Sequence, residues 1–254
     1  MEYGGDNANH IIMLLDDIAK KNHYDKIVLK LPKGACVAFQ DNGYVCEAKI
    51  PKYYCGGETC CFLSKFLSEE RSQTNNFLKC ETIISAAKLK SETTLNPLST
   101  HYSIVKMDEL KTHEMADLYK AVFKTYPFPI FDPSYILSTM KTHVIYFGVY
   151  YMGELVALSS SEVNGALKNA EMTDFAVKPS HRGRQLSKHL LVKMEKQMSA
   201  MGIKTLYTIA RAKSMPMNCT FSALGYIFGG TLINNTQISG QIESMNVWFK
   251  TKLD

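Results

Sequence analysis

The run Glu171–Leu191, EMTDFAVKPSHRGRQLSKHLL, holds the residues whose types and spacing could do chemistry. A strand-like apolar stretch carrying two carboxylates passes through a Pro-containing bend. A basic turn with Arg182, Gly183 and Arg184 follows, and an amphipathic helix starts after it. A strand that feeds a helix through such a turn leaves unpaired backbone N–H groups at the helix start. With the positive end of the helix dipole they form a site for phosphate, and the two arginines add charge-assisted hydrogen bonds. A solvated basic helix start would look the same in isolation, so the elements around the turn decide between the two readings.

The whole chain narrows the classes. It has 254 residues, of which 46% are hydrophobic, enough for one large domain or two small ones with real cores. A net charge of +5, spread along the sequence, suits an anionic small ligand. It lacks the clustered basic and aromatic residues of a nucleic-acid binder. Seven cysteines with no paired C-x-x-C spacing argue against a zinc site. Reduced thiols in a cytoplasm are the simpler account. Residues 1–10 have no basic region and no long apolar run, so no signal peptide is expected there. The apolar runs are too short to span a bilayer.

The elements follow from periodicity and punctuation. Residues 9–21 predict a helix with Ile11, Ile12, Leu14, Leu15 and Ile18 on one face. Short strands are expected at 27–31, 44–50 and 59–66, with a brief helix at 35–39 and a polar helix over 69–87. The Ser-, Thr- and Asn-rich segment 90–100, with Pro97, predicts a boundary between an N-terminal region, 1–95, and a second domain, 100–254. The second part reads as a strand at 102–106, a helix from Asp108 to about 124, a Pro-rich loop at 126–133 and a short helix to 142. A hairpin at 144–162 and a strand at 170–177 come next. A helix over 185–201, a strand at 203–210, a helix at 216–224 and strands at 226–233 and 244–250 complete it. This order predicts an α/β (α+β) fold with a mixed sheet flanked by helices and a mostly antiparallel front half. A weak internal echo links Lys26-IVLKL, Phe39 and Asn42-Gly43-Tyr44 with Lys204-TLYTIA, Phe221 and Leu224-Gly225-Tyr226.

The order of elements around the basic turn resembles the GCN5-related N-acetyltransferase fold. Members carry Arg/Gln-x-x-Gly-x-Gly/Ala at this turn, and here the motif aligns with Arg182, Gly183, Arg184, Gln185, Leu186 and Ser187. Gln185 and Ser187 stand where the family has small residues. The resemblance implies an acyl-CoA pyrophosphate at the turn and a pantetheine slot where the strand containing Phe175, Ala176 and Val177 parts from the strand at 206–210. It also implies a backbone N–H of the first strand as donor to the thioester oxygen. By the same resemblance, the N-terminal region looks like the back half of an acetyltransferase domain without its cofactor turn.

The run from Arg211 to Lys250, with EMTDFAV and the N-terminal EAKIPKYYCGGETCCFLSKFL, resembles the β-lysine N6-acetyltransferases of methanogenic archaea and some bacteria over nearly the whole chain. That resemblance implies transfer of acetyl from acetyl-CoA to the side-chain amine of (3S)-β-lysine in a ternary complex, with no metal. The product is a compatible solute, and a lysine 2,3-aminomutase is the implied upstream partner. Because that ammonium has a pKa of about 10.4, a carboxylate or an ordered water must take its proton, or the site must favour the neutral amine. Glu171 and Asp174 are the candidates, on opposite faces of a regular strand unless a bulge intervenes. Phe221 occupies the place of a tyrosine acid in many relatives, leaving Tyr226, Tyr207, Cys219 or water to protonate the thiolate. Asn218 is a candidate CoA contact. Asp132 is a candidate for an acceptor ammonium, Tyr126, Phe128 and Phe131 for its aliphatic chain, Arg211 for its carboxylate, and Glu243 is a further polar candidate. Rival readings are an acetyltransferase for a polyamine or peptide and a non-catalytic acyl-CoA-binding module. A homo-oligomer is compatible with all of them.

Overall fold

Apolar residues at helical spacing lay down the first element, α1 (Ala8–Lys21), which buries Ala8, Ile12 and Ala19 on one face. Lys20 and Lys21 complement the dipole at its C-terminal turn. The computed structural model describes residues 8–73, 77–90, 95–238 and 240–251. Residues 1–7 of the stretch read as lacking a signal segment, part of the expected 69–87 helix and the centre of the expected 90–100 boundary therefore lie outside the described residues.

After α1 come β1 (Lys26–Pro32), α2 (Cys36–Gln40), β2 (Val45–Tyr54) and β3 (Glu58–Phe66). The single polar helix expected over 69–87 is instead two helices, α3 (Glu69–Ser72) and α4 (Phe77–Lys88). Ser68 caps α3 by accepting from the Arg71 N–H. The second part runs β4 (Tyr102–Lys106), α5 (Thr112–Val122), α6 (Pro133–Met140), β5 (Val144–Tyr151), β6 (Glu154–Asn164) and β7 (Asn169–Val177). It ends with α7 (Leu186–Ala200), β8 (Thr205–Arg211), α8 (Met215–Ala223), β9 (Ile227–Ile238) and β10 (Gln241–Lys250). The helix expected from Asp108 opens as a 3-10 turn at Glu109–Lys111, because the Asp108 side chain takes the Leu110 N–H and tightens the first turn.

One sheet holds all of these strands, in the order β1-β3-β2-β9-β10-β8-β7-β6-β5-β4. Its neighbours are antiparallel except β7 and β8, which run parallel because α7 carries the chain across between them. α7 covers one face with Leu190, Leu191, Met194 and Met198 against Met172 and Trp248. α5 and α6 cover the other face, where Met115, Leu118 and Ile136 meet Tyr146 and Leu158.

The two expected parts meet at a pinch. β2 touches β9 through one pair, Ala48↔Gly230. A Cβ on Gly230 (φ +142) would lie 2.1 Å from the Glu47 carbonyl oxygen, so only glycine admits this approach. Glu47 accepts from the Ile233 N–H at 2.7 Å and pairs with Lys26, also at 2.7 Å, with both charged side chains nearly inaccessible. From the pinch the N-terminal strands fold back over the C-terminal ones. Ile50, Tyr53 and Phe62 pack on Tyr207, Met245 and Val247 in one shared core. All seven cysteines are free thiols.

Candidate active site

β7 and β8 pair only through Asn169↔Thr205, Ala170↔Leu206 and Glu171↔Tyr207, and then part. The wedge between them opens into a cavity of about 940 Å³, lined by Thr173, Asp174, Phe175 and Val177 on one side and Thr208, Ile209 and Ala210 on the other. Tyr126 and Phe123 after α5, Phe221 of α8, and Ile238 and Met245 close it. Backbone groups of β7 that would have paired with β8 face this space instead.

A bulge sets the chemistry of the wedge. β6 pairs Leu158↔Ala176 and Ser160↔Thr173, so Asp174 and Phe175 together oppose one residue, and Asp174 takes φ +55. Simple alternation would put Glu171 and Asp174 on opposite faces. The extra residue brings both to the face opposite α7. Asp174 accepts from Tyr126 Oη at 2.5 Å and Ser160 Oγ at 2.5 Å. Burial raises its carboxyl pKa, and the hydroxyls of Ser160, Tyr126 and Thr173 pull against that. Glu171 stands directly across from Glu162. Burial pushes Glu162 up to about 7, with Glu171 and Asp174 adding to the rise and Lys30 opposing it. Burial also raises Glu171, against the pull of the Lys30 ammonium, the Tyr207 hydroxyl and the Ile209 N–H.

At the other end of the cavity lies the basic turn. Gly183 (φ +78) and Gln185 (φ +59) both take left-handed backbone. A Cβ on Gly183 would meet open space, so its conformation rather than room calls for glycine. Gln185 is the N-cap of α7, and its carbonyl accepts from the Lys188 and His189 N–H groups. The N–H groups of residues 183–187 have no backbone acceptor among the described residues and sit at the positive end of a 15-residue helix. Arg182, Gly183, Gln185, Leu186 and Ser187 line the cavity here, joined by His181, whose ring nitrogen meets the Tyr102 hydroxyl at 2.9 Å. Arg184 is exposed beside the turn, outside the lining.

Several expected site residues have other surroundings. Asn218 is fully buried, and its amide is saturated inside the fold. Its Nδ2 donates to the Arg211 and Ser214 carbonyls, and its Oδ1 accepts from Asn246 and Trp248. It has no group left for a pantetheine amide. Tyr226 is buried behind Phe221, edge-to-face at 5.0 Å, with Glu195 beside it and outside the cavity lining. Arg211 lines the cavity but is committed to Glu243 through two hydrogen bonds of 2.9 and 2.8 Å. Burial pushes Glu243 up, yet Arg211 and Gln241 more than offset it and hold its carboxyl below the usual range. Asp132 is the exposed N-cap of α6, where its carboxylate takes the Ser134 N–H and hydroxyl. Phe128 is exposed, Phe131 packs among the core residues of α5 and α6, and Ala176 is buried on that same side. Tyr126, Phe175, Val177 and Phe221 do line the cavity. No group of three His, Cys, Asp or Glu residues that could hold a metal occurs among the described residues, and no described helix is long and apolar enough to cross a membrane.

Sequence reasoning missed Lys30, Tyr53, Ser160 and Glu162. Glu162 lies across from Glu171 because the hairpin closes through four residues, 165–168, with Asn164 paired to Asn169. A two-residue Asn-Gly turn would instead have put Glu162 across from Leu167, so the dipeptide hides this like-charge pair. Lys30 and Tyr53 carry no local signal, because long-range packing alone brings them to Tyr207.

Residues 109–226 match the family model described as Acetyltransferase (GNAT) family. The chain is 37% identical over 97% of its length to the β-lysine N(6)-acetyltransferase of Methanococcus maripaludis, of which the match covers 89%. It is 33% identical to the N-acetyltransferase YodP of Bacillus subtilis over 91% of this chain and 84% of that one. Among solved structures, the Salmonella typhimurium acetyltransferase yncA, solved with acetyl-CoA, superimposes with a TM-score of 0.53 at 15% identity. That match covers 61% of this chain and 95% of the other.

Proposed function

We propose, for a chain that belongs to the acetyltransferase (GNAT) family, that it transfers the acetyl group of acetyl-CoA to the N6 amine of (3S)-β-lysine. The observation that carries the reaction type is the parting of β7 from β8 over a bulged carboxylate, with unpaired helix-start N–H groups at the far end of the same cavity. The acceptor follows from similarity that runs through the N-terminal region as well as the catalytic half.

The cavity fits the donor. Free N–H groups of residues 183–187, with Arg182 and Arg184, suit a pyrophosphate. The apolar walls Phe175, Val177, Leu186 and Phe221 suit a pantetheine arm. Bound there, acetyl-CoA supplies an activated acyl carbon. Asp174 lines the wedge and takes the proton of the incoming ammonium. Tyr126 and Ser160 hold its carboxylate in place. Unpaired N–H groups of β7 stabilise the oxyanion. Tyr226 is buried behind Phe221, and a thiolate with a pKa near 8.5 leaves without a strong acid, so water protonates it. Acetyl passes directly to the amine. A lysine 2,3-aminomutase supplying the acceptor, a cytoplasmic setting and a compatible-solute role belong to the same proposal.

The test is release of CoA thiol with β-lysine, α-lysine and spermidine side by side. A kcat/KM at least tenfold higher for β-lysine than for the other two is the expected result. Equal turnover of spermidine would replace β-lysine by a polyamine, and acetyl-CoA binding without thiol release would leave a non-catalytic module.

A further inference from the structure

The N-terminal region does more than extend the sheet. Where it folds over β8–β10 it brings Lys30 of β1 to the face that carries Glu171 and Glu162. Lys30 Nζ lies 3.3 Å from the Tyr207 hydroxyl, and Tyr207 is the last residue of β8 paired with β7, beside Glu171. The ammonium also sits 5.2 Å from the centre of the Tyr207 ring and 5.4 Å from that of Phe62. Among the described residues no carboxylate reaches it within ion-pair distance, although Glu171 and Glu162 both feel its field. One cation and two carboxylates thus cluster about the last β7–β8 pair, Glu171↔Tyr207, with Lys30 exposed and Glu162 and Glu171 half-buried, next to the cavity that holds Asp174.

We propose that Lys30 binds the carboxylate of the acceptor while Glu162 and Glu171 bind its 3-ammonium, so that the N-terminal region sets the acceptor specificity of the catalytic half. This rests on the β-lysine reading above. The charges match, since the head of β-lysine carries one carboxylate and one ammonium on neighbouring carbons. The length matches as well. With C–C bonds near 1.5 Å, the acceptor spans roughly 7 Å from its carboxyl carbon to N6. From the 3-ammonium to N6 the acceptor spans roughly 6 Å. A regular strand would separate Glu171 from Asp174 by roughly 10 Å. The bulge shortens that distance and the two carboxylate side chains take up the rest, so a head group held at Glu171 and Lys30 points N6 toward Asp174. The aromatic rings of Tyr207 and Phe62 fix the Lys30 ammonium without neutralising it, which leaves its charge free for an anion. Lys30 lies 177 positions before Tyr207, so an acetyltransferase lacking the N-terminal region would have no such residue.

Three acceptors separate the contacts: β-lysine, 6-aminohexanoate, which lacks the 3-ammonium, and 1,4-diaminopentane, which lacks the carboxylate. In steady-state thiol release, Lys30→Met should raise the KM for β-lysine about thirtyfold or more. kcat should stay within threefold, and the KM for acetyl-CoA should not change. The same variant should leave 1,4-diaminopentane unaffected, and Lys30→Arg should recover most of the β-lysine KM. Glu162→Gln should raise the KM for β-lysine about tenfold and leave 6-aminohexanoate unaffected. Thermal melting of each variant separates misfolding from lost contacts, and Lys30→Arg keeps the test open if Lys30→Met does not fold. If the wild type turns over β-lysine but Lys30→Met leaves the β-lysine to 1,4-diaminopentane ratio unchanged, the assignment of Lys30 fails and the β-lysine reading survives. If the wild type does not turn over β-lysine, both fail.

Discussion

The stretch β1–α2–β2–β3 and the stretch β8–α8–β9–β10 follow one plan and end with different duties. In both, a short helix closes through a left-handed glycine, Gly43 at φ +84 and Gly225 at φ +80. The next tyrosine N–H returns to the carbonyl of a helix phenylalanine at 3.1 Å, Tyr44 to Phe39 and Tyr226 to Phe221. The rings of each pair meet edge-to-face, at 5.4 and 5.0 Å. Strand order is palindromic about the pinch, β1-β3-β2 then β9-β10-β8. The difference lies beside the repeat. β8 has a parallel neighbour, β7, from which it parts, whereas β1 is an edge strand whose one partner among the described strands is β3. The repeated unit is a frame, and the slot arises only where a bulged strand and a helix start stand next to it. We read the N-terminal copy as a frame without a slot, turned over to wall the acceptor side.

The hardest break of that comparison removes the group that only the C-terminal copy has beside it. Asp174→Asn should lower kcat by about 100- to 1000-fold, the usual weight of a general base, with little change in the KM for acetyl-CoA. Burial raises the Asp174 pKa, so wild-type kcat/KM should climb with pH as the carboxyl ionises. The variant should lose that limb. A drop of less than tenfold would move the base to Glu171 or to water.

Next comes the pinch that joins the copies. Gly230→Ala puts a methyl 2.1 Å from the Glu47 carbonyl oxygen and 2.6 Å from the Ala48 Cα, both backbone atoms that cannot yield cheaply. A loss of about 3 kcal/mol in unfolding free energy is expected. The KM for β-lysine should rise before the KM for acetyl-CoA does, because the acceptor wall shifts and the cofactor turn does not. Equal effects on both would mean that the copies are not separable in function.

A smaller effect concerns the carboxylate pair that faces the N-terminal copy. Glu162 meets Glu171 and Asp174, which raise its pKa, and Lys30, which lowers it, with Tyr135 and Tyr146 near. Its folded pKa of about 7 lies above an unfolded value near 4.3. Below pH 4.3 the group is protonated in both states and contributes no pH-dependent cost. As pH rises toward 7 the folded state holds a proton that the unfolded state has lost, so stability falls, and the cost is complete above about 7. The full shift corresponds to about 3.7 kcal/mol, and solvent at the half-buried side chain roughly halves it. Glu162→Gln should therefore be no more stable than wild type near pH 4.5 and more stable by about 2 kcal/mol at pH 8. A gap independent of pH in denaturant titrations would contradict that assignment.

The catalytic half was more legible than the other. Turn residues, alternation and the Pro-Gly punctuation of 171–191 are local signals, and the strand, turn and helix they predict are present. The hidden parts depend on distant contacts. The bulge at Asp174 shows only in its pairing with β6, and it reverses the face that simple alternation assigns. Asn218 offers the same polar atoms to a ligand as to the fold, and its amide is consumed by Asn246, Trp248 and two carbonyls. Asp132 precedes Pro133 and Ser134, an N-cap pattern that local rules identify and that leaves its carboxylate occupied. Lys30 had no signal at all, since its meaning comes from a sheet folded at Gly229-Gly230.

The smallest expected effect sets the cofactor turn, which lies beside the C-terminal frame, against a turn inside the N-terminal frame. Gln185 and Gly43 both sit in left-handed backbone, but only Gln185 has a side chain there. A non-glycine residue in that region costs about 1 kcal/mol. Gln185→Gly recovers this and gives part of it back through a looser unfolded chain, for a net gain of about 0.5 kcal/mol. The KM for acetyl-CoA should fall two- to threefold, because phosphate then approaches the bare N–H groups of the turn. Gly43→Gln, the converse change in the N-terminal copy, meets only the end of Lys65 at 3.9 Å and so pays the backbone cost alone. It should lower stability by about 1 kcal/mol and leave the KM for acetyl-CoA untouched. A rise in that KM for Gln185→Gly would show that the Gln185 side chain itself holds the phosphate. The turn would then be a specialised contact, not a strained version of the glycine turn.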